Sequence, residues 1–323
     1  MAYSETVLRR AQARLAQEKA DHDAESAARV EAVYRQYPRL REIDRAMRQS
    51  VSKAVAAAFR KGEDTTRAIA AIKAENLALQ QEREWILEAN DLDESALEPA
   101  PFCPHCGGTG YVGSVMCECL RELCRQEQKK ELSSLLGGKE HFDQFRLDYY
   151  PAEPDPQTGV SPRMLMQNTY QLCLRYAKGF SRKSPSLLFT GGPGLGKTFL
   201  SACIARTVAD SGYSVVYDTA GKLFADFEAV KFGGDRADLT QKYLKCDLLI
   251  IDDLGTEMTT QFTQSVLYQV INTRLMDGAP VIVSTNLTTE ALSRRYPGPI
   301  ASRLLGAYQL CPFLGRDIRQ LRR

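Results

Sequence analysis

The chain has 323 residues, 44% of them hydrophobic, with a formal net charge of +2. That length points to about two domains, or three, and the apolar content is ample for packed cores. The near-neutral balance excludes a polycation, so any nucleic-acid contact must come from a local patch, and no apolar run approaches the ~20 residues that span a bilayer.

The N-terminus is charged from Glu5 onward and has no signal-peptide core. A soluble, cytoplasmic protein with no membrane partner is expected, and its nine cysteines are then not a disulfide framework. Residues 1–98 read as a helical, partner-binding region. No glycine precedes Gly62, and Ala, Arg, Glu, Gln and Leu dominate. A first helix is predicted over Ser4–Tyr34, and Pro38 suits the start of a second. There Leu40, Ile43, Met47, Val51, Ala54, Val55 and Ala58 form an amphipathic stripe, which Lys61-Gly62 would end. Asp64 or Thr65 would cap a third helix, in which Ile69, Ile72, Leu79 and Ile86 share a face and Trp85 lies near the end. The result is a small bundle or coiled hairpin, either a structural appendage or a docking module for a partner protein.

Asp91–Pro101 is acidic, ends in Pro-Ala-Pro and reads as a linker. Residues 99–140 then form a zinc knuckle and a helix. Cys103-Pro-His-Cys106 is followed by Gly107-Gly-Thr-Gly110 and by Cys117-Glu-Cys119. A CxxC turn brings two thiolates onto one cation, and a second pair completes a closed four-sulfur site, the donor set of structural Zn²⁺. The Cys117-x-Cys119 spacing is tight, so Cys124 is an alternative ligand. His105 should point away, and His141 is a more distant alternative. Leu120–Leu136 returns to a charged helical pattern stopped by Gly137-Gly138. Residues 141–162 are an aromatic segment and linker. Phe142, Phe145, Tyr149 and Tyr150 are expected to pack on the following core, near a nucleotide base, and Pro151–Pro162 is an exposed loop.

Residues 163–323 carry the chemistry. Pro162 opens a helix to about Gly179, Ser186–Thr190 reads as a short buried strand and Phe199–Ala209 as a helix. Between the last two, Gly191-Gly192-Pro193-Gly194-Leu195-Gly196-Lys197-Thr198 is GxxxxGK[ST], a P-loop. At that spacing backbone N–H groups close around phosphates at a helix N-terminus. Gly191 to Thr198, with Phe199, are the candidate ATP-binding residues. Lys197 reaches the β- and γ-phosphates, and Thr198 ligates Mg²⁺. Ser214–Asp218 is a second strand, and helices are predicted over Thr219–Val230 and Arg236–Leu244. Cys246–Asp253 is an apolar strand ending in two acids. Asp252 suits the Mg²⁺ shell beside Thr198. Asp253 stands where a carboxylate orients or deprotonates an attacking water, with Glu257 as the alternative base. After a helix over Gln261–Met276, the strand Pro280–Ser284 ends in Thr285-Asn286. A polar side chain there suits the γ-phosphate or its water; Asn286 is the first choice and Thr285 the second. Strands alternating with helices imply an α/β fold, an open parallel sheet with ligands at its carboxyl ends.

With these residues in view, the chain resembles the AAA+ ATPases of the DnaC/DnaI/IstB type, replicative helicase loaders and transposition helpers. The resemblance covers roughly His141–Arg323. It rests on the P-loop, Ile251-Asp-Asp-Leu-Gly-Thr-Glu257, Ser284-Thr-Asn-Leu287, Ala301-Ser-Arg-Leu304 and Gly315-Arg-Asp-Ile-Arg319, in that order. The knuckle resembles that of the zinc-bearing loaders. The resemblance implies an AAA+ P-loop NTPase preceded by an α-helical N-terminal domain with a zinc knuckle. Its lid would be nearly absent, because the sequence stops four residues after Arg319. It places Asn286 at the first sensor position, Arg303 as the arginine finger reaching a neighbouring subunit's nucleotide, and Arg319 at the second sensor position. Arg316 competes with Arg319, and Arg294 or Arg295 with Arg303. Asp253 stands where most AAA+ proteins have Glu, which implies slow, switch-like turnover. Single-stranded DNA contact is implied for Lys222, Phe224, Phe227, Lys231, Phe232, Arg236 and Lys242, with Phe224 and Phe227 equally suited to the core. The implied function is a replicative helicase loader that uses ATP, Mg²⁺ and Zn²⁺, grips the helicase through its N-terminal region and self-associates, with ATP hydrolysis driving release. The alternatives are an IstB-like transposition helper that binds DNA and a transposase, or an ATP-locked adaptor without turnover.

Overall fold

The alanine- and glutamate-rich N-terminal stretch forms three helices, α1 (Glu5–Gln36), α2 (Pro38–Ala58) and α3 (Asp64–Ala89). The computed structural model describes residues 3–58, 64–137, 140–156, 159–233 and 238–321. The predicted stop at Lys61-Gly62, the side chains of Val51, Ala54, Ala58, Asp64 and Thr65, and Gly138 and Arg236 lie outside the described residues. The chain divides into two compact units, residues 13–119 and residues 1–12 with 120–323. Residues 99–140 are therefore shared between the two units.

In the unit 13–119, α2 and α3 run antiparallel. Arg39 donates to both oxygens of Glu82 at 2.7 and 2.9 Å, Arg83 to Asp44 at 3.1 Å, and Ser50 to Asn76 at 2.7 Å. Leu40 and Ile43 of the predicted stripe are buried, and Met47 is half-buried. On α3 the predicted face largely holds: Ile72, Leu79 and Ile86 are half-buried and Ile69 is exposed, while Leu87, beside Ile86, is buried. Asp91–Pro101 is more than a linker. Asp93 accepts the Ser95 N–H at 2.9 Å and starts a single 3₁₀ turn over Glu94–Leu97. The reason is Leu97, which buries itself with Leu40 and Leu87 in a cluster short of apolar residues. Residues 107–116 contain a hairpin, β1 (Tyr111–Val112) paired antiparallel with β2 (Val115–Met116). Gly113, at φ +59°, opens its two-residue turn.

In the other unit, strands that are apolar along their length need cover on both faces. The elements are α4 (Glu118–Leu136), α5 (Pro162–Lys178), β3 (Leu187–Thr190), α6 (Lys197–Asp210), β4 (Val215–Thr219), α7 (Ala220–Gly233), α8 (Asp238–Lys245), β5 (Leu248–Leu254), α9 (Gln261–Met276), β6 (Val281–Thr285), α10 (Thr289–Arg295), α11 (Gly298–Gly306), β7 (Gln309–Pro312) and α12 (Ile318–Leu321). Among the described residues, β4-β5-β6-β3-β7 form one all-parallel sheet. Alternate strand residues supply two cores. Leu187, Phe189, Tyr217 and Ile250 pack with Leu200 and Ile204 of α6 and Met166 and Cys173 of α5. Leu188, Val216, Leu249 and Val283 pack with Leu223 of α7, Leu267 of α9 and Leu304 of α11. The open edge of β4 is served by a side chain: Gln128 of α4 accepts the Val215 N–H at 3.0 Å and donates to the Tyr213 carbonyl at 2.9 Å. Among the described residues no helix is long and apolar enough to cross a membrane.

Arg274 of α9 is fully buried. It donates to the carbonyls of Tyr243 at 3.1 Å, Cys246 at 3.0 Å and Pro280 at 2.7 Å, joining the end of α8 to the start of β6. Removing the guanidinium strands several buried carbonyls at once. Arg274→Met is expected to destabilise this unit by about 3–5 kcal/mol. Native-state hydrogen exchange over α9 and β6 measures that loss; unchanged protection would refute it.

Candidate functional site

Sheet register assembles the site. Thr190 pairs with Thr285 and with Pro312, and Thr219 pairs with Asp252, so the P-loop, the β5 acids, Asn286 and the segment after β7 meet at the sheet's carboxyl end. The P-loop connects β3 to α6, with Gly196 left-handed at φ +90°. Gly194, at φ +70°, has no room for a side chain: a Cβ would lie 1.7 Å from Asp317 Oδ1. The Ile318 N–H donates to the Gly194 carbonyl at 3.0 Å, which seats the segment after β7 on the loop. A cavity of about 520 Å³ opens here. Its lining includes Pro193 to Phe199, Asp253, Asn286 and Arg319.

Lys197 is buried, and its ammonium donates to the carbonyls of Gly191 and Gly192, both at 2.7 Å, and to Asn286 Oδ1 at 2.6 Å. Burial pulls its pKa down to about 8, against the opposing pull of the Asp253 and Asp252 carboxylates. Asp252 is also buried. Its Oδ2 accepts from the Tyr217 hydroxyl at 2.8 Å, and its Oδ1 accepts from Ser284. Asp253 sits at φ +56°, where the pairing of β5 with β6 shifts between Ile251 and Leu254. In a regular strand neighbouring residues face opposite ways; a bulge re-aims one of them. Asp253 thereby lines the cavity, whereas Asp252 is not among the lining residues. Burial raises the pKa of Asp253, as does Asp252, while Lys197 and Arg319 lower it.

The structure separates the alternatives. Thr285 is buried and donates to the Leu254 carbonyl at 2.6 Å, so its hydroxyl is engaged on β5; Asn286 lines the cavity and meets Lys197. Glu257 is held by Tyr296 at 2.5 Å, by Arg295 and by the Gly255 N–H at 2.7 Å, and is not among the cavity residues. Arg319 lines the cavity and pairs with Asp317 at 3.1 Å, whereas Arg316 is exposed elsewhere. Arg303 is outside the cavity. It lies 4.7 Å over the Tyr268 ring and donates to Asn272 at 3.0 Å and to the Pro299 carbonyl at 2.9 Å. Arg295 is tied to Glu257, and Arg294 is exposed. Thr198 is exposed in the first turn of α6.

The aromatic segment packs on the core at its P-loop end. Phe145 stacks on Tyr170 at 5.3 Å and lies 6.0 Å from Phe199, and the Tyr150 hydroxyl donates to the Leu195 carbonyl at 2.8 Å. Phe145, Arg146, Tyr149 and Tyr150 line the cavity, as do Leu135 and Leu136 of α4. Of the residues linked by resemblance to DNA, Phe224 is buried and Phe227 stacks on Tyr243. Lys242 is caged by Asp218 at 2.9 Å and Asp226 at 3.2 Å. Burial opposes its charge, yet the two carboxylates raise its pKa. Lys222 is engaged by Asp226. Lys231 and Phe232 are exposed, with the ammonium 5.4 Å from the Phe232 ring.

The four predicted cysteines do converge. The sulfurs of Cys103, Cys106, Cys117 and Cys119 lie within 4.8 Å of one another, with Cys103–Cys117 at 3.8 Å and Cys106–Cys119 at 3.4 Å. A tetrahedron with Zn–S of about 2.3 Å has edges of about 3.8 Å, so the donor set fits Zn²⁺. The Gly110 N–H donates to Cys106 Sγ at 3.3 Å, as expected around a thiolate ligand. Cys124, His105 and His141 are outside this group. All nine cysteines are free of disulfides.

Residues 173–299 match the family model of the IstB-like ATP binding protein. The chain is 30% identical over 105 residues to the uncharacterized protein YdaV of Escherichia coli K12, covering 32% of this chain and 42% of that protein. It is 24% identical over 129 residues to the replicative helicase loader DnaC of the same strain, covering 39% of this chain and 53% of DnaC. The chain thus spans about half the length of these curated relatives. A crystal structure of the DnaC helicase loader superposes with a TM-score of 0.47 at 16% identity, covering 55% of this chain and 98% of that one. The matched stretch, residues 173–299, holds the P-loop, both β5 acids and Asn286, and is similar to the IstB-like ATP binding protein.

Proposed function

We propose that the protein is an ATP-dependent replicative helicase loader. The observation that carries this reading is one cavity in which Lys197, Asp253, Asn286 and Arg319 converge on the P-loop, in a domain related to that of DnaC. Bound ATP would draw the Lys197 ammonium from the Gly191 and Gly192 carbonyls onto phosphate oxygens. Thr198 and Asp252 would hold Mg²⁺, which neutralises charge on the β- and γ-phosphates. Asp253, with its raised pKa, accepts the proton of the attacking water. Asn286 orients that water or the γ-phosphate, and Arg319 counters the charge from the same chain. Arg303 serves the nucleotide of a second copy, because its own cavity does not contain it. The four cysteines hold Zn²⁺ as a structural ion. The helical unit grips the helicase, and Lys231 with Phe232 offers a cation and a stacking ring to single-stranded DNA.

The test uses the full chain. With ATP it is expected to capture purified replicative helicase, and its Mg²⁺-dependent phosphate release is expected to change when single-stranded DNA is added. A second reading follows from the matched family description: a transposition helper, identified by duplex-DNA binding and transposase capture without helicase capture. Helicase capture without phosphate release would identify an ATP-locked adaptor.

A further inference from the structure

The Mg²⁺ chemistry proposed above places one ligand on each of two elements, Thr198 on α6 and Asp252 on β5. The two ligands belong to different elements, so something must hold those elements in register. Tyr217, on the neighbouring strand β4, lies between them. Its hydroxyl donates to Asp252 Oδ2 at 2.8 Å and lies 3.1 Å from Ser201 Oγ. Ser201 is fully buried one turn along α6 and is also 3.0 Å from the Thr198 carbonyl. The phenol has one proton, and it goes to the carboxylate. Ser201 is therefore the donor to Tyr217, its proton divided between the phenol oxygen and the Thr198 carbonyl. Ser284 donates to the other oxygen of Asp252. Each carboxylate oxygen thus carries one hydroxyl donor, which fixes the plane of the group and leaves further lone pairs for a cation or its waters.

A valine or isoleucine would fill the inward face of β4 as well for packing alone. Val215, two residues before Tyr217 on the same face, does so. Burying a phenol needs hydrogen-bond partners, and here both partners sit on the two metal-bearing elements.

We infer that Tyr217 is a positioning residue that fixes the Asp252 carboxylate and ties it, through Ser201, to the helix carrying Thr198, so that Mg²⁺ meets a preset pair of ligands. This rests on the reading of Asp252 and Thr198 as the Mg²⁺ residues. Outer-shell partners of this kind alter metal affinity by about 10–100-fold when removed.

The experiment measures affinity for a fluorescent ATP analogue as Mg²⁺ is titrated, in wild type, Tyr217→Phe and Asp252→Asn full-length protein. Tyr217→Phe keeps the ring and its packing. It is expected to raise the half-maximal Mg²⁺ concentration about tenfold while leaving Mg²⁺-free analogue binding and hydrogen-exchange protection of β4 and β5 unchanged. Asp252→Asn is expected to remove the Mg²⁺ dependence. If Asp252→Asn removes it and Tyr217→Phe leaves it as in wild type, the positioning role is wrong and the assignment of Asp252 stands. If Tyr217→Phe weakens binding equally with and without Mg²⁺, Tyr217 is a packing residue and the inference is overturned. If Asp252→Asn keeps wild-type Mg²⁺ dependence, the assignment of Asp252 itself falls, and this inference with it.

Discussion

Arg303→Ala is expected to bind ATP normally and to lose hydrolysis by about 10³-fold, the lower end of what arginine fingers contribute in other NTPases. The guanidinium is held on the surface formed by α9 and α11, stacked on Tyr268 and bonded to Asn272. It is absent from the lining of its own chain's cavity. In the mechanism proposed above, its positive charge acts on the γ-phosphate of a neighbouring copy. A mixing experiment separates this role from simple damage to the α9–α11 surface. Asp253→Asn subunits keep Arg303 but lack the proposed base, and Arg303→Ala subunits keep the base but lack the arginine. Neither hydrolyses well alone, and mixing them should restore part of the activity, because some sites then combine an intact Asp253 with a neighbour's Arg303. Normal hydrolysis by Arg303→Ala, or mixtures no more active than their parts, would sink the shared-site model.

Zinc removal is expected to unfold the knuckle. Four sulfurs within 4.8 Å of one another, two of them on residues that are buried, are poorly explained as packing. Four thiolates at that distance repel strongly without a cation, and four thiols have few acceptors there. Structural Zn²⁺ sites contribute about 10–16 kcal/mol of binding energy to folding. The hairpin between the ligand pairs is only two residues per strand, too short to persist alone. Purified protein should release one Zn²⁺ per chain to a chelator. Amide protection from Cys103 to Cys119 should then vanish, and Cys103→Ser with Cys106→Ser should reproduce the loss. A hairpin still protected after exhaustive chelation, or protein that contains no zinc when purified, would refute the assignment.

Much of the chemistry was legible in contiguous residues. The P-loop needs its glycines and its Lys-Thr pair in one short run, because backbone N–H groups and a helix N-terminus must surround one phosphate chain. The two cysteine pairs point by spacing to a site that could hold a cation, with Cys124 an alternative ligand until the four sulfurs were seen to converge. The parallel sheet was visible in strands apolar along their whole length, which only helices on both faces can cover. Local composition also carried the amino-terminal helices and most of the inward face of α3, where Ile72, Leu79 and Ile86 are half-buried and Ile69 at the start of the stripe is exposed.

Other features depended on residues far apart in sequence. β7 is a four-residue edge strand with a single buried side chain, so its own residues hold almost no pattern; pairing with β3 makes it a strand. The left-handed conformation of Asp253 arises from mismatch between β5 and β6, and no local preference of Asp-Asp foretells it. Lys242 looked like a phosphate ligand until α8 placed it between Asp218 and Asp226. Leu97 looked like part of a linker until the α2–α3 hairpin offered it a core. Tyr217 and Arg274 carry no motif, since their partners sit 16 or more residues away along the chain, apart from Pro280, six residues from Arg274. By itself, then, the sequence determined which groups could hold a nucleotide and a metal ion, because those ligands bind from short continuous runs. Tertiary structure alone decided which charges face the cavity and which are neutralised in the core, because strand order and helix packing set those distances.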